Sequence, residues 1–164
     1  MNLKKMTIAA MFMAIGVVSA HLVYIPVGFA KCFPVQHAIN VLLAVLLGTR
    51  YAASAAFGVS LLRNLLGTGS VLAFPGSMIG AILAGVLYKK TGHIYGAILG
   101  EVVGTGIIGG LVAYPIAKFL LASNAGAFFF VMPFLVSTIG GSVIAYVIYQ
   151  TPIKKVFANF VHKV

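Results

Sequence analysis

Negative charge is almost missing from this chain. Its 164 residues hold one carboxylate side chain, Glu101, against eleven lysines and arginines. A single acid excludes paired-carboxylate catalysis and any metal site built from carboxylates. The lone cysteine, Cys32, excludes an internal disulfide. His21, His37, His93 and His162 are scattered, with no metal-ligand spacing among them. Neither a GxxxxGK[ST] loop nor a GxGxxG turn is present, so the chain has no means of using ATP by itself. No nucleophile–base pair stands out either, and the sequence does not read as an enzyme.

Charge of both signs is scarce: 7% of residues are charged, where soluble domains carry about 25%. With 62% hydrophobic residues and a mean hydropathy of +1.12, a chain this short cannot hide its apolar surface from water. The composition is that of an all-α integral membrane protein. The net charge of +10 would point to nucleic acid in a soluble protein. Here most basic residues fall between apolar runs, where they act as topology signals, and no nucleic-acid partner is expected.

Six apolar segments are predicted as helices, at about 6–24, 37–48, 51–66, 72–88, 94–121 and 127–149. They read as one six-helix transmembrane domain over 1–164. An open sheet edge is not tolerated in lipid, so all six are expected to be helical. The second and third are short of the roughly 20 residues a span needs. The fifth is longer than needed and contains Pro115, which predicts a tilt or kink. The stretch 25–36, IPVGFAKCFPVQ, reads as a structured external loop or lid. The first segment has features of a signal peptide, with Lys4 and Lys5 ahead of the apolar run and Val18-Ser19-Ala20 as a cleavage site. Its length and its small-xxx-small pairs, Ala10/Ala14 and Gly16/Ala20, favour a retained helix.

With the N-terminus inside, Lys4, Lys5, Arg50, Lys89, Lys90, Lys154, Lys155 and Lys163 all fall on the cytoplasmic side, eight of the eleven basic residues. This is the asymmetry of the positive-inside rule, with both termini cytoplasmic. Gly92, Gly96, Gly100 and Gly104 recur every four residues, as do Gly76, Gly80 and Ala84. Such stripes are expected to pack helices closely rather than to bind ligand.

Polar groups inside apolar helices are costly and mark candidate sites. Gln36, His37 and Asn40 share one helix face. Arg63 and Asn64 interrupt a leucine run just before the Gly/Pro-broken stretch Gly67–Gly76. Glu101 lies within GHIYGAILGEVVGTGIIGG, with Thr105 one turn further on. The carboxyl either pairs with Arg63 or stays protonated. Ser77, Met78, Tyr114, Phe130 and Ser137 are candidates to complete a mixed apolar and hydroxyl pocket. Such a pocket suits a small, nearly neutral, aromatic solute.

Six short helices, basic loops, the Ala10/Ala14 pair and no ATP site resemble the substrate-binding S components of energy-coupling factor (ECF) vitamin transporters. The stretches SLLRNLLGTGSVLAFPGSMIGAILAG and GEVVGTGIIGGLVAYPIA resemble the ThiW family. That family is associated with uptake of the thiamin precursor hydroxyethylthiazole. The resemblance implies a prokaryotic, multi-pass protein of the cell membrane. It implies capture of the solute from outside, then docking through Ala10 and Ala14 on a transmembrane T component powered by two ATPase subunits. It places Gln36, His37, Asn40, Phe74, Met78, Glu101, Thr105, Phe130 and Ser137 near the pocket, and no cofactor is expected. Arg63 is expected to neutralise or hydrogen-bond Glu101, forming a polar floor for the thiazole. The rival reading from the residues is a self-sufficient proton-coupled transporter with Glu101 as relay; an S component for a different vitamin-like substrate is another.

Overall fold

The computed structural model describes residues 2–28 and 30–152. Lys154, Lys155 and Lys163, used above for the topology, lie outside the described residues. Among the described residues six helices run: α1 (Leu3–Leu22), α2 (Pro34–Leu46), α3 (Thr49–Leu65), α4 (Ala73–Thr91), α5 (Ile94–Leu120) and α6 (Val131–Gln150). The six predicted segments match them with end shifts of a few residues. Between α1 and α2 the expected loop holds a short antiparallel hairpin, β1 (Ile25–Val27) and β2 (Ala30–Cys32), with Ile25 opposite Cys32. Sheet was not predicted. A three-residue strand pair leaves almost no periodicity to read, and it sits in a connection rather than a span.

The boundaries have local causes. Asn2 caps α1, its side chain accepting from Lys4 N–H at 3.0 Å. Pro34 opens α2, where its missing N–H costs nothing. Its preceding segment therefore ends at residue 33, and α2 starts three residues earlier than predicted. Gly92 closes α4 in the left-handed conformation, φ 69°, with its N–H on the Tyr88 carbonyl.

Asn2 N–H reaches the Tyr51 hydroxyl, bringing the start of α1 beside the start of α3. A Cβ on Gly85 would lie 2.7 Å from Thr49 Cα, so the last turns of α4 reach the same end. Lys4, Lys5, Arg50, Lys89 and Lys90 thus collect at one end, and the hairpin with the α3–α4 connection forms the other. Among the described residues, three helices are long and apolar enough to cross a membrane: α1, α5 and α6. α2 is apolar but has 13 residues.

The glycine stripes are close-packing surfaces, as expected, except at Gly92, which caps α4 and has open space around it. A Cβ on Gly100 would lie 2.5 Å from the Ala84 nitrogen, on Gly104 2.7 Å from Gly80 Cα, and on Gly109 2.5 Å from Gly76 Cα. The matched positions step by four along α4 (84, 80, 76) but by four and then five along α5 (100, 104, 109). One extra residue must be absorbed, and Val102–Gly109 does so by adopting π-helical geometry. This irregularity of α5 begins directly after Glu101; Pro115, to which the sequence had pointed, lies further along the same helix.

Candidate functional site

A cavity of about 540 Å³ opens at the hairpin end of the bundle. Its walls come from the last turn of α1, the hairpin, the first turns of α2, α4 and α6, the α3–α4 connection and the middle of α5. That volume is in the ordinary range for a small-molecule site. The hairpin is pinned over it: the Cys32 thiol donates to the Pro133 carbonyl at 3.1 Å, and Phe33 N–H donates to Ser137 Oγ at 2.7 Å.

Six of the expected residues line the cavity: Gln36, His37, Arg63, Thr105, Phe130 and Ser137. Ser77 lines it as well. Asn40 and Glu101 stand directly behind the wall, 1% and 0% exposed. Asn64, Phe74 and Met78 do not line it. Asn64 instead ties the end of α3 to the connection, donating to the Ser60 and Ser70 carbonyls at 2.8 and 3.2 Å. Phe74 packs on Phe57 of α3, ring centroids 5.7 Å apart. Tyr114 lies beside Lys118 in a separate depression near the α5–α6 connection.

The expected Arg63–Glu101 pair does not form. Glu101 Oε1 is met by His37 Nδ1 at 2.7 Å, Asn40 Nδ2 at 3.0 Å and Thr105 Oγ1 at 3.0 Å. These three donors leave no room for a guanidinium at that oxygen. Thr105 also lies 3.0 Å from the Gly76 carbonyl, so its single proton serves one of two acceptors. Glu101 Oε2 is buried without a partner among the described residues and rests against Gly80, where a Cβ would sit 2.8 Å away. Gly80 is thus the space that admits the carboxyl between α4 and α5.

Arg63 is held from other directions. One terminal nitrogen donates to Gln36 Oε1, the other to the Thr68 carbonyl at 2.8 Å. Its guanidinium lies over the Phe33 ring, 3.7 Å from the centroid. It is 3% exposed and makes no ion pair with a described residue. The reason it faces inward is legible in α3: the buried positions Ala52, Ala56, Val59, Ser60 and Arg63 form one helical face.

Arg63 and Glu101 are nevertheless two ends of one buried network. Gln36 accepts from Arg63 and donates to Ser60 Oγ at 3.2 Å. Ser60 and Ser77 share a hydrogen bond of 2.9 Å. Asn40 then bridges the Ser77 carbonyl, at 3.3 Å, and Glu101. The chain couples α2, α3, α4 and α5 below the cavity. Phe33, Ser60 and the Thr68 carbonyl were not singled out from the sequence. Ser60 had a signal, standing three residues before Arg63 on the same face; Phe33 had only its place before Pro34.

Among the described residues, the ionisable side chains lining the cavity are His21, Tyr24, Lys31, His37 and Arg63, and none is a carboxylate. With the one acid sealed behind the wall, the cavity disfavours a cation. It offers an aromatic and aliphatic lining with a few fixed polar groups, and among the described residues no cluster fit to hold a metal ion.

Comparison with curated proteins and comparison with solved structures returned no match. A family model described as thiamine-precursor transporter protein (ThiW) matches residues 6–155. That span covers α1 from its fourth residue on, the other five helices in full and every residue of the cavity wall, and the chain therefore belongs to the ThiW family of thiamine-precursor transporters.

Proposed function

We propose that this chain is the substrate-capture S component of an ECF transporter, a six-span protein of the prokaryotic cell membrane with both termini in the cytoplasm. The captured solute is hydroxyethylthiazole, taken up from the outer face at the hairpin end. The observation that carries this reading is the cavity itself. It is of small-molecule size, mostly apolar, and has no acid on its surface. A small neutral ring fits those terms better than cationic thiamin. Gln36, His37, Arg63, Thr105, Phe130 and Ser137 contact the solute, while Asn40 and Glu101 hold the wall. Asn64 and Phe74 brace α3 and its connection around the mouth, and Met78 packs in the first turns of α4.

Docking on the T component and its two ATPases proceeds through α1. Ala9, Gly16, Val17 and Ala20 face the bundle, whereas Ala10 and Ala14 are exposed. The outward pair provides a smooth stripe for a second helix. Calorimetry of detergent-solubilised protein with hydroxyethylthiazole tests capture, with one-to-one binding expected. Replacing Ala10 and Ala14 with leucine tests docking: binding is retained, and uptake with the partner subunits is lost.

The buried His37–Glu101 contact gives one specific reason to consider proton-coupled transport by this chain alone. Uptake into liposomes driven by a proton gradient, without partner subunits, would favour that alternative.

A further inference from the structure

His37 meets the cavity with one nitrogen already committed. Its Nδ1 lies 2.7 Å from Glu101 Oε1, an oxygen that also takes the amide hydrogens of Asn40 at 3.0 Å. An oxygen accepting from Asn40 and approached by the Thr105 hydroxyl is an acceptor, so the proton between His37 and Glu101 belongs to Nδ1. A proton on the carboxyl would have to sit on Oε2, which has no acceptor near it. Fixing the hydrogen at Nδ1 leaves Nε2 of the neutral ring as a lone-pair acceptor. No described residue satisfies Nε2, and the 10% of the side chain that stays exposed opens on the cavity it lines. Of the other fixed groups of this wall, the buried Arg63 Nε also has no partner among the described residues, but it is a donor and cannot take a hydroxyl proton. Gln36 is used by Arg63 and Ser60, and Ser137 Oγ accepts from Phe33.

We propose that His37 Nε2 is the group that reads a hydroxyl on the bound solute. The ligand class is a neutral, planar ring carrying an alcohol that donates its proton to Nε2, with Glu101 as the positioning residue that sets the tautomer. This rests on the capture reading above and deepens it. Ligands without the donor leave Nε2 buried and unpaired, which is where most of the discrimination arises.

The test is calorimetry on the wild-type chain with four probes: hydroxyethylthiazole, its O-methyl ether, the ethyl analogue lacking oxygen, and its phosphate ester. The ether keeps an acceptor but no donor, and the ethyl analogue removes the oxygen without added bulk. The alcohol is expected to bind at least about tenfold tighter than either. In His37→Leu the three neutral probes converge on one affinity, and a cooperative thermal unfolding transition in detergent reports that the variant is folded. Glu101→Gln lowers the alcohol-to-ethyl ratio, which is read within one folded preparation. If His37→Leu does not fold, the wild-type ratio decides alone. Equal binding of alcohol and ethyl analogue overturns the role of His37 and leaves the capture reading standing. Tighter binding of the phosphate ester overturns it too, because it requires Nε2 to donate. Binding of none of the four overturns the capture reading itself.

Discussion

His37 and Glu101 are joined across the α2–α5 interface by a 2.7 Å hydrogen bond, and this contact, not one from Arg63, satisfies the chain's only acid. A buried carboxyl with three donors converging on one oxygen is a structural commitment. Removing it strands His37 Nδ1 and leaves Asn40 and Thr105 only the Ser77 and Gly76 carbonyls. Glu101→Ala is expected to destabilise by about 1–3 kcal/mol, the usual penalty for a buried donor left without its acceptor. Glu101→Gln keeps an acceptor and is expected to lose less. Thermal unfolding in detergent measures both, and equal midpoints for wild type and Glu101→Ala would refute the arrangement.

Gly80 supplies the room for that carboxyl. A methyl group there would overlap Thr105 Oγ1 and crowd Glu101. Gly80→Ala is expected to cost about 1–3 kcal/mol by overpacking and to weaken ligand binding. Gly58 provides the control. A Cβ there meets only the flexible end of Met13, and Gly58→Ala should be neutral or slightly stabilising through helix propensity.

Arg63 is gripped by shape as well as by charge. It stacks on Phe33 and forks between Gln36 and the Thr68 carbonyl. Lysine retains the charge but neither the plane nor the fork. Arg63→Lys is therefore expected to lower ligand affinity about as much as Arg63→Ala, by roughly tenfold or more. Binding titrations on both variants check this, and full rescue by lysine would show that charge alone matters.

Cys32 reports on the hairpin. Burial pushes its thiol above the ordinary range, with the neighbouring Ser137 pulling weakly the other way. The thiolate is the reactive form, so a raised pKa leaves less of it at neutral pH. Alkylation is expected to be slow near pH 7 and to climb only above the normal thiol range, slowing further when ligand occupies the cavity. Rapid labelling at neutral pH, unchanged by ligand, would mean that the hairpin is not pinned to α6 through Pro133 and Ser137.

Much of the architecture was legible because lipid-compatible helices leave long apolar runs and basic punctuation. The six segments, the inward face of Arg63 and the packing role of the glycine stripes all came through. Partner choice did not. Arg63 and Glu101 invite pairing as the conspicuous opposite charges, yet pairing depends on which neutral donors arrive first. Here Asn40 and His37, three apart on α2, reach Glu101, and Gln36 with Phe33 reaches Arg63. The π stretch did leave a trace. The glycine period of four runs through Gly104 and then skips Ile108 for Gly109, which marks the one-residue insertion. Phe33 and the hairpin carried no such signal.

The most direct measurement is to release and identify any small molecule retained by the purified protein, and to titrate hydroxyethylthiazole by calorimetry. The account predicts tight one-to-one binding of the alcohol by this chain alone, with thiamin binding more weakly. Failure to bind any thiazole, or stronger binding of cationic thiamin in a cavity lined by Arg63 and Lys31, would contradict it.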